Sequence, residues 1–230
     1  SGSGLNQLMD VLAYNTHYNA ILAHSSMNEA FLDSAQKRAN VVSHAKSLGY
    51  VPSSKTGAIA RLNVTFQRTG TQASQIIPAG TKFTALVGTK TYTFTTIDTT
   101  SKQELGAASL FTFNNLDVIQ GEPKSQTFTV DNSFNQKFVI NDTNVDTSTL
   151  SVVVYDSLTA TTGTTYTKFS TLSGITAASK VYYLHENTDG RYEVTFGNGV
   201  FGSRPNSAGR VEISFNITAG ADANGASVFS

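Results

Sequence analysis

VVSHAKSLGYVPSSKTGAIARLNVTF, residues 41–66, contains a change of period that decides the fold. Up to Leu48 the apolar residues recur at helical spacing. From Leu62 they alternate: Leu62, Val64 and Phe66 face one way while Asn63, Thr65 and Gln67 face the other, as in a half-buried strand. Between the two patterns lie Lys46, Gly49 and Pro52. A cation in a helix's last turn, a glycine just past it and a proline beyond together mark a helix C-terminus.

Upstream of this junction, Leu5 to Leu48 contain neither proline nor glycine and read as helix. The first part carries two apolar stripes. Leu5, Leu8, Met9 and Leu12 form one; Val11, Tyr14, Tyr18 and Ile21, with Leu22 beside it, form the other. A helix at the rim of a single core needs one stripe, so two stripes predict neighbours on two sides. Ser26-Met27-Asn28-Glu29 fits a capping box, which predicts a break or fresh start near Ser26. Phe31, Ala35, Ala39, Val42 and Ala45 then share one face, with Gln36, Asn40, Ser43, His44 and Ser47 opposite.

Downstream the alternation continues. Pro78-Ala79-Gly80 reads as a turn, and Gly88-Thr89 reverses the chain between Phe83/Ala85 and Tyr92/Phe94. Asp189-Gly190 separates Val181–Leu184 from Tyr192, Val194 and Phe196 in a second hairpin, and Val211, Ile213, Phe215 and Ile217 alternate in the clearest strand. Ser157 to Thr167, rich in Thr and Gly, reads as a long hairpin loop or exposed insertion. Composition shifts near Asp131, from Thr-rich strands to Asn- and Asp-rich turns. The expected fold is α+β, mainly β: an N-terminal helical arm followed by antiparallel, sandwich-like β units. Residues 1–4 read as an expression scar or linker, 5–50 as the arm, 57–130 as a first β unit and 131–230 as a second, truncated at its C-terminal end.

Composition narrows the function. Charged residues make up 14% of the chain, well below the usual share of about 25%. The 16 basic and 16 acidic residues cancel, and no basic run occurs, so nothing attracts nucleic acid or an anionic membrane. No apolar stretch approaches the ~20 residues of a membrane-spanning helix. The absence of cysteine removes disulfides, thiolate metal sites and a cysteine nucleophile.

Gly197-Asn198-Gly199-Val200-Phe201-Gly202 matches the dinucleotide-binding glycine pattern, with Asp222 at the spacing of a ribose-binding carboxylate. The context does not match. A helix must open at such glycines to present its amides to the pyrophosphate, and here Ser203-Arg204-Pro205-Asn206 and another strand follow. A tight strand-to-strand connection is the expected role. His17, His24, His44 and His185 show no ligand spacing, and Glu29 with Asp33 reads as a decorated helical turn, so no metal or cofactor is expected. Asp142, Asp146, Asp156 and Glu186 are scattered carboxylates, and a hydrolase would need two of them to converge in a cleft. A carbohydrate-binding or adhesin-like module would need an exposed aromatic platform, whereas most strand aromatics alternate in phase with Val and Ile. No catalytic residues are assigned.

Two blocks carry a family resemblance. Val11–Ala23, Asn28–Ala35 and Val41–Pro52, ending in Leu48-Gly49-Tyr50-Val51-Pro52, form the first. Tyr192–Gly199 with Gly202, Pro205, Gly209, Val211–Ile217, Gly220 and Asn224-Gly225 form the second. In this order they resemble the baseplate wedge proteins of T4-like contractile-tailed phages, within the baseplate J-like family. The resemblance implies a non-enzymatic structural subunit of the virion's tail baseplate, assembled in the host cytoplasm. Two copies would join a second, helical wedge protein and other baseplate and tail proteins around the tail tube. It also implies that this chain lacks the family's long C-terminal portion. With that reading, Leu8, Leu12, Tyr14, Tyr18, Ile21 and Leu22 are expected to bury surface against another chain.

Overall fold

The computed structural model describes residues 4–106, 109–131, 133–171 and 173–230. The first three residues of the expected linker lie outside these, and Gly4 already opens helix α1, Gly4–Glu29. Helix α2 is Arg38–Ser47. The arm thus breaks after Glu29 rather than at Ser26. The reason is chemical: the Glu29 carboxylate does not close a capping box on its own helix but accepts from the amides of Gln36 and Lys37, which open α2. Phe31 falls in the connecting turn and is exposed, while Val42 and Ala45 form the buried face of α2. At the far end, Tyr50 N–H donates to Ala45 C=O and Gly49 N–H to Lys46 C=O, with Gly49 at φ 75°, a complete Schellman cap.

The strands are β1 Ile59–Gln67, β2 Ser74–Gln75, β3 Lys82–Val87, β4 Lys90–Thr96, β5 Gln103–Glu104, β6 Leu110–Gln120, β7 Glu122–Thr129, β8 Phe138–Val139, β9 Val145–Tyr155, β10 Thr164–Lys168, β11 Val181–Glu186, β12 Tyr192–Phe196 and β13 Arg210–Ile217. A four-stranded antiparallel sheet has the order β1-β6-β4-β3, with β3 and β4 joined by the expected Gly88-Thr89 turn. Its core gathers Tyr92, Phe94, Phe111, Phe113, Leu116 and Val118. A seven-stranded sheet has the order β7-β13-β9-β10-β11-β12-β8. Strand β13, flanked by β7 and β9, places Val211, Ile213 and Phe215 wholly inside, as their alternation requires.

Two features depart from the expectation. β10 and β11 pair in parallel, Thr167 opposite Val181 and Lys168 opposite Tyr182, so this sheet is not purely antiparallel. Residues 169–180 supply the crossover that a parallel pair demands. The Thr-rich stretch is only partly a loop: Thr164–Tyr166 pair with Val154–Val152 in β9. Arg210 pins the shorter connection that remains, donating to the carbonyls of Leu158 and Ala160 while its guanidinium lies 4.0 Å over the Tyr155 ring.

The chain changes sheet at Gly121, the single residue between β6 and β7, earlier than the compositional shift near Asp131. Gly121 has φ 147°, and a Cβ there would sit 2.8 Å from the Ile217 carbonyl oxygen, so no other residue fits without displacement. Polar groups brace the change. The Gln120 side-chain oxygen accepts from Thr218 Oγ1 and Ala219 N–H. Asp146, fully buried, accepts from Gly57 N–H at 2.8 Å and from both the N–H and the hydroxyl of Ser148.

The helices up to Pro52, together with His185–Glu193, form one compact unit; residues 53–184 and 194–230 form the other. Asp146→Ala strands three donors at once, and a loss of about 2–4 kcal/mol is expected. A urea melt followed by near-UV circular dichroism reads it; an unchanged midpoint would show that the brace contributes nothing.

Candidate assembly interface

Helix α1 has 26 residues, about 39 Å of axis, and none of its side chains is buried. The six expected contact residues all lie on it. Leu8, Leu12, Tyr14, Tyr18, Ile21 and Leu22 are between 47% and 72% exposed, as are Leu5, Met9 and Val11. The Tyr14 and Tyr18 rings stack on one another with centroids 6.4 Å apart.

On a continuous helix the two stripes merge into one broad seam. Leu8, Asn15 and Leu22 recur at heptad spacing, with Val11 and Tyr18 between them, which is the a/d pattern of a coiled coil. Leu5 and Leu12 flank the seam on one side, Tyr14 and Ile21 on the other. Asp10, Thr16, His17 and His24 occupy the remaining polar strip with Ala13, Ala20 and Ala23. Asp10 and Glu29 are the only formally charged residues on α1. No ladder of i,i+4 ion pairs therefore supports the helix in water. Isolated helices that owe little to such pairs are marginal, and most helical stability in proteins comes from covering an apolar face. Covering six half-exposed apolar side chains would contribute on the order of 6–10 kcal/mol before the cost of association.

What α1 does have is a firm anchor at its C-terminal end. Glu29 Oε1 and Oε2 accept from the amides at the entry to α2, and Oε2 also accepts from Asn40 Nδ2 at 2.7 Å. In return His44 of α2 donates through Nε2 to the Glu29 carbonyl at 3.0 Å, and Ser34 Oγ donates to the Asn28 carbonyl. Each helix thus satisfies terminal groups of the other. The hydrogen bond from Asn40, followed by those from the Gln36 and Lys37 amides, holds the Glu29 carboxyl below its ordinary value of 4.5.

α2 is anchored in turn by two ion pairs within the same unit. Arg38 donates through Nε and Nη2 to both oxygens of Glu186, at 2.8 and 2.7 Å, and Lys46 Nζ lies 3.5 Å from Glu193. Both carboxylates are almost fully buried, while both cations keep about half their surface in water. Tyr192 adds a hydrogen bond to Glu186 at 3.4 Å; burial pushes the Tyr192 hydroxyl up, and the adjacent carboxylate pushes it further. Sequence reading treated Glu186 as a scattered carboxylate. The signal it missed was phase: Glu186 falls on the same strand face as Tyr182 and Leu184, where a carboxylate requires a partner.

The other candidates disperse. Asp142, Asp146 and Asp156 are each tied to nearby backbone or side-chain donors, in Asn144, in Gly57 and Ser148, and in Asn206 respectively. Among the described residues no cluster of His, Asp and Glu could hold a metal ion. Tyr92, Tyr166, Tyr182 and Tyr192 are buried in the β core rather than displayed as a platform. The Gly197–Gly202 block is followed by loop and strand β13, with no helix opening at its glycines. No helix among the described residues is long and apolar enough to cross a membrane.

Two outcomes follow. Because the folded-state acidity of Glu29 is lowered, its capping contribution is complete above the ordinary carboxylate range and lost as pH falls through the depressed value. Protection of the Gln36 and Lys37 amides, taken as exchange relative to the intrinsic rate at each pH, should therefore fall on acidification below the ordinary carboxylate range, an effect absent in Glu29→Gln. Arg38→Ala leaves the buried Glu186 carboxylate without its cation and should cost about 1–3 kcal/mol, discounted for the exposure of the arginine. A thermal melt reads that loss, and full retention of stability would show the pair to be incidental.

The arm and the second sheet both have counterparts among known proteins. Residues 1–50 match the family described as baseplate wedge protein gp6-like, helical domain, and residues 126–219 match bacteriophage baseplate wedge protein gp6, third domain. Together the two matches cover more than half of the chain. The whole chain is similar to baseplate wedge protein gp6 of Enterobacteria phage T4, 28% identical over a 249-residue alignment that takes in 36% of that relative. The chain therefore spans about a third of the relative's length. With the helical block and the third-domain block matched in order, the chain carries two domains of gp6-like baseplate wedge proteins.

Proposed function

We propose that this chain is a non-enzymatic structural subunit of a phage tail baseplate wedge, and that residues 5–50 are its contact module. The observation that carries the reading is α1: a heptad-patterned helix whose whole apolar seam lies open to solvent. Such a seam is the natural member of an intermolecular helical bundle. Leu8, Leu12, Tyr14, Tyr18, Ile21 and Leu22 are the proposed contacts. The match to two domains named for the baseplate wedge supports the same reading.

The partners proposed are a second copy of the chain, a second helical wedge protein, and other baseplate and tail proteins around the tail tube. The proposed place of action is the virion's tail baseplate, with assembly in the host cytoplasm. Near-zero net charge and a low charged fraction suit a protein that ends packed against neighbours. The β units, 57–130 and 131–230 in the sequence reading, would carry the arm and offer further contact surface.

Replacing Leu12 and Ile21 together by Asp puts two charges into the seam while leaving both β sheets untouched. The double variant should keep its strand circular dichroism and lose incorporation into baseplates, measured by complementation and electron microscopy of tails. Normal incorporation would show that the arm is not the interface.

A further inference from the structure

Two of the chain's asparagines are followed by glycine, Asn198 and Asn224, and both pairs lie at the surface. Such a pair has a reaction of its own. The glycine nitrogen, with no side chain beside it, can close on the asparagine's side-chain carbonyl carbon to form a five-membered ring. What holds the two groups decides whether it does.

At Asn198 both groups are held. Asn198 Oδ1 accepts from the amides of Val200 and Phe201, at 3.0 and 3.2 Å. Gly199 N–H donates to the Gly202 carbonyl, Gly202 N–H to that of Thr176, and Ser203 N–H to that of Ser179. The Tyr183 hydroxyl donates to the Phe201 carbonyl at 3.1 Å. Ring closure here must break several of these bonds and waits for the loop to open.

At Asn224 neither group is held. Among the described residues, the Asn224 side chain and the Gly225 N–H have no hydrogen-bond partner. The Asn224 peptide is extended, with ψ 143°, and has to turn for the ring to close; no bond to the Gly225 N–H opposes that turn. A Cβ on Gly225 would meet nothing within 4 Å, so the pair has open space around it. It sits in a bridge between two anchors. On one side Ala223 is 1% exposed within the core of the four-stranded sheet. On the other, Phe229 meets the Phe94 ring edge-on with centroids 5.0 Å apart, and Ser230 exchanges backbone hydrogen bonds of 2.8 and 2.9 Å with Thr84 of β3.

We propose that Asn224 is a site of spontaneous covalent modification and that Asn198, in the same dipeptide, is shielded from it. The Gly225 nitrogen loses its proton to solvent and bonds to Asn224 Cγ. The Cγ–Nδ2 bond breaks, and the nitrogen leaves as ammonia with a proton from solvent. Water then opens the ring. Attack at Cγ leaves an ordinary aspartyl residue; attack at the backbone carbonyl carbon leaves an isoaspartyl link, with one more atom in the path of the chain. Either product adds a negative charge to a chain whose formal charges balance. The isoaspartyl form also lengthens the bridge that carries Phe229 and Ser230 to the edge of β3.

The two pairs fall on different tryptic peptides, residues 192–210 and 211–230, because Pro205 blocks cleavage after Arg204. The full chain is kept in warm, mildly alkaline buffer, native and in urea, and sampled by peptide mass spectrometry. Exchange of the side-chain NH2 for OH adds about 1 Da, and fragment masses assign it to a position. In the native chain Asn224 should convert about tenfold faster than Asn198 or more, giving both aspartyl and isoaspartyl products. In urea the two should convert at similar rates, and Gly225→Ala should slow Asn224 in either state. Equal rates in the native chain overturn the proposal. So does a native Asn224 that stays intact while the unfolded chain converts, or a product with no isoaspartyl fraction.

Discussion

The apolar seam of α1 lies open, with none of the helix's side chains buried. This constraint organises the N-terminal part of the molecule. Twenty-six residues of helix carry no buried side chain and almost no charge. A helix of that kind gains its stability from what it meets. The surrounding structure is arranged to hold it ready rather than to bury it. Glu29 and His44 lock its end to α2 by reciprocal capping, and Arg38 and Lys46 bind α2 to the buried carboxylates of Glu186 and Glu193. In each of the two ion pairs the carboxylate is buried. That arrangement gives direction as much as stability, because a buried carboxylate accepts a cation only in a narrow geometry.

The β part is built on a different economy. Its two main sheets are joined through a single glycine, and the strands around that change are fixed by buried polar groups rather than by apolar packing alone. Asp146 and Gln120 each satisfy several donors at once, so displacing either chain segment would leave orphaned buried groups.

Much of this was legible in the sequence. The period change at Gly49 and Pro52 located the end of the arm, because the Schellman cap and the proline are local chemistry. The seam residues were legible for the same reason: helical spacing survives without tertiary information. What could not be read was set by contacts distant in sequence. Glu29 looked like half of a capping box with Ser26, and only the position of α2 shows where its carboxylate turns. The parallel pairing of β10 with β11 leaves no trace in alternation, which is identical for either direction. The compositional shift at Asp131 marks a change in turn chemistry, whereas the change of sheet needs only Gly121.

The most direct test of the central claim is the solution mass of the full chain by light scattering, beside the same chain lacking residues 1–50. If α1 is an assembly interface for copies of this chain, the full chain is a dimer or larger and the shortened chain a folded monomer. An association state that the deletion leaves unchanged would contradict it.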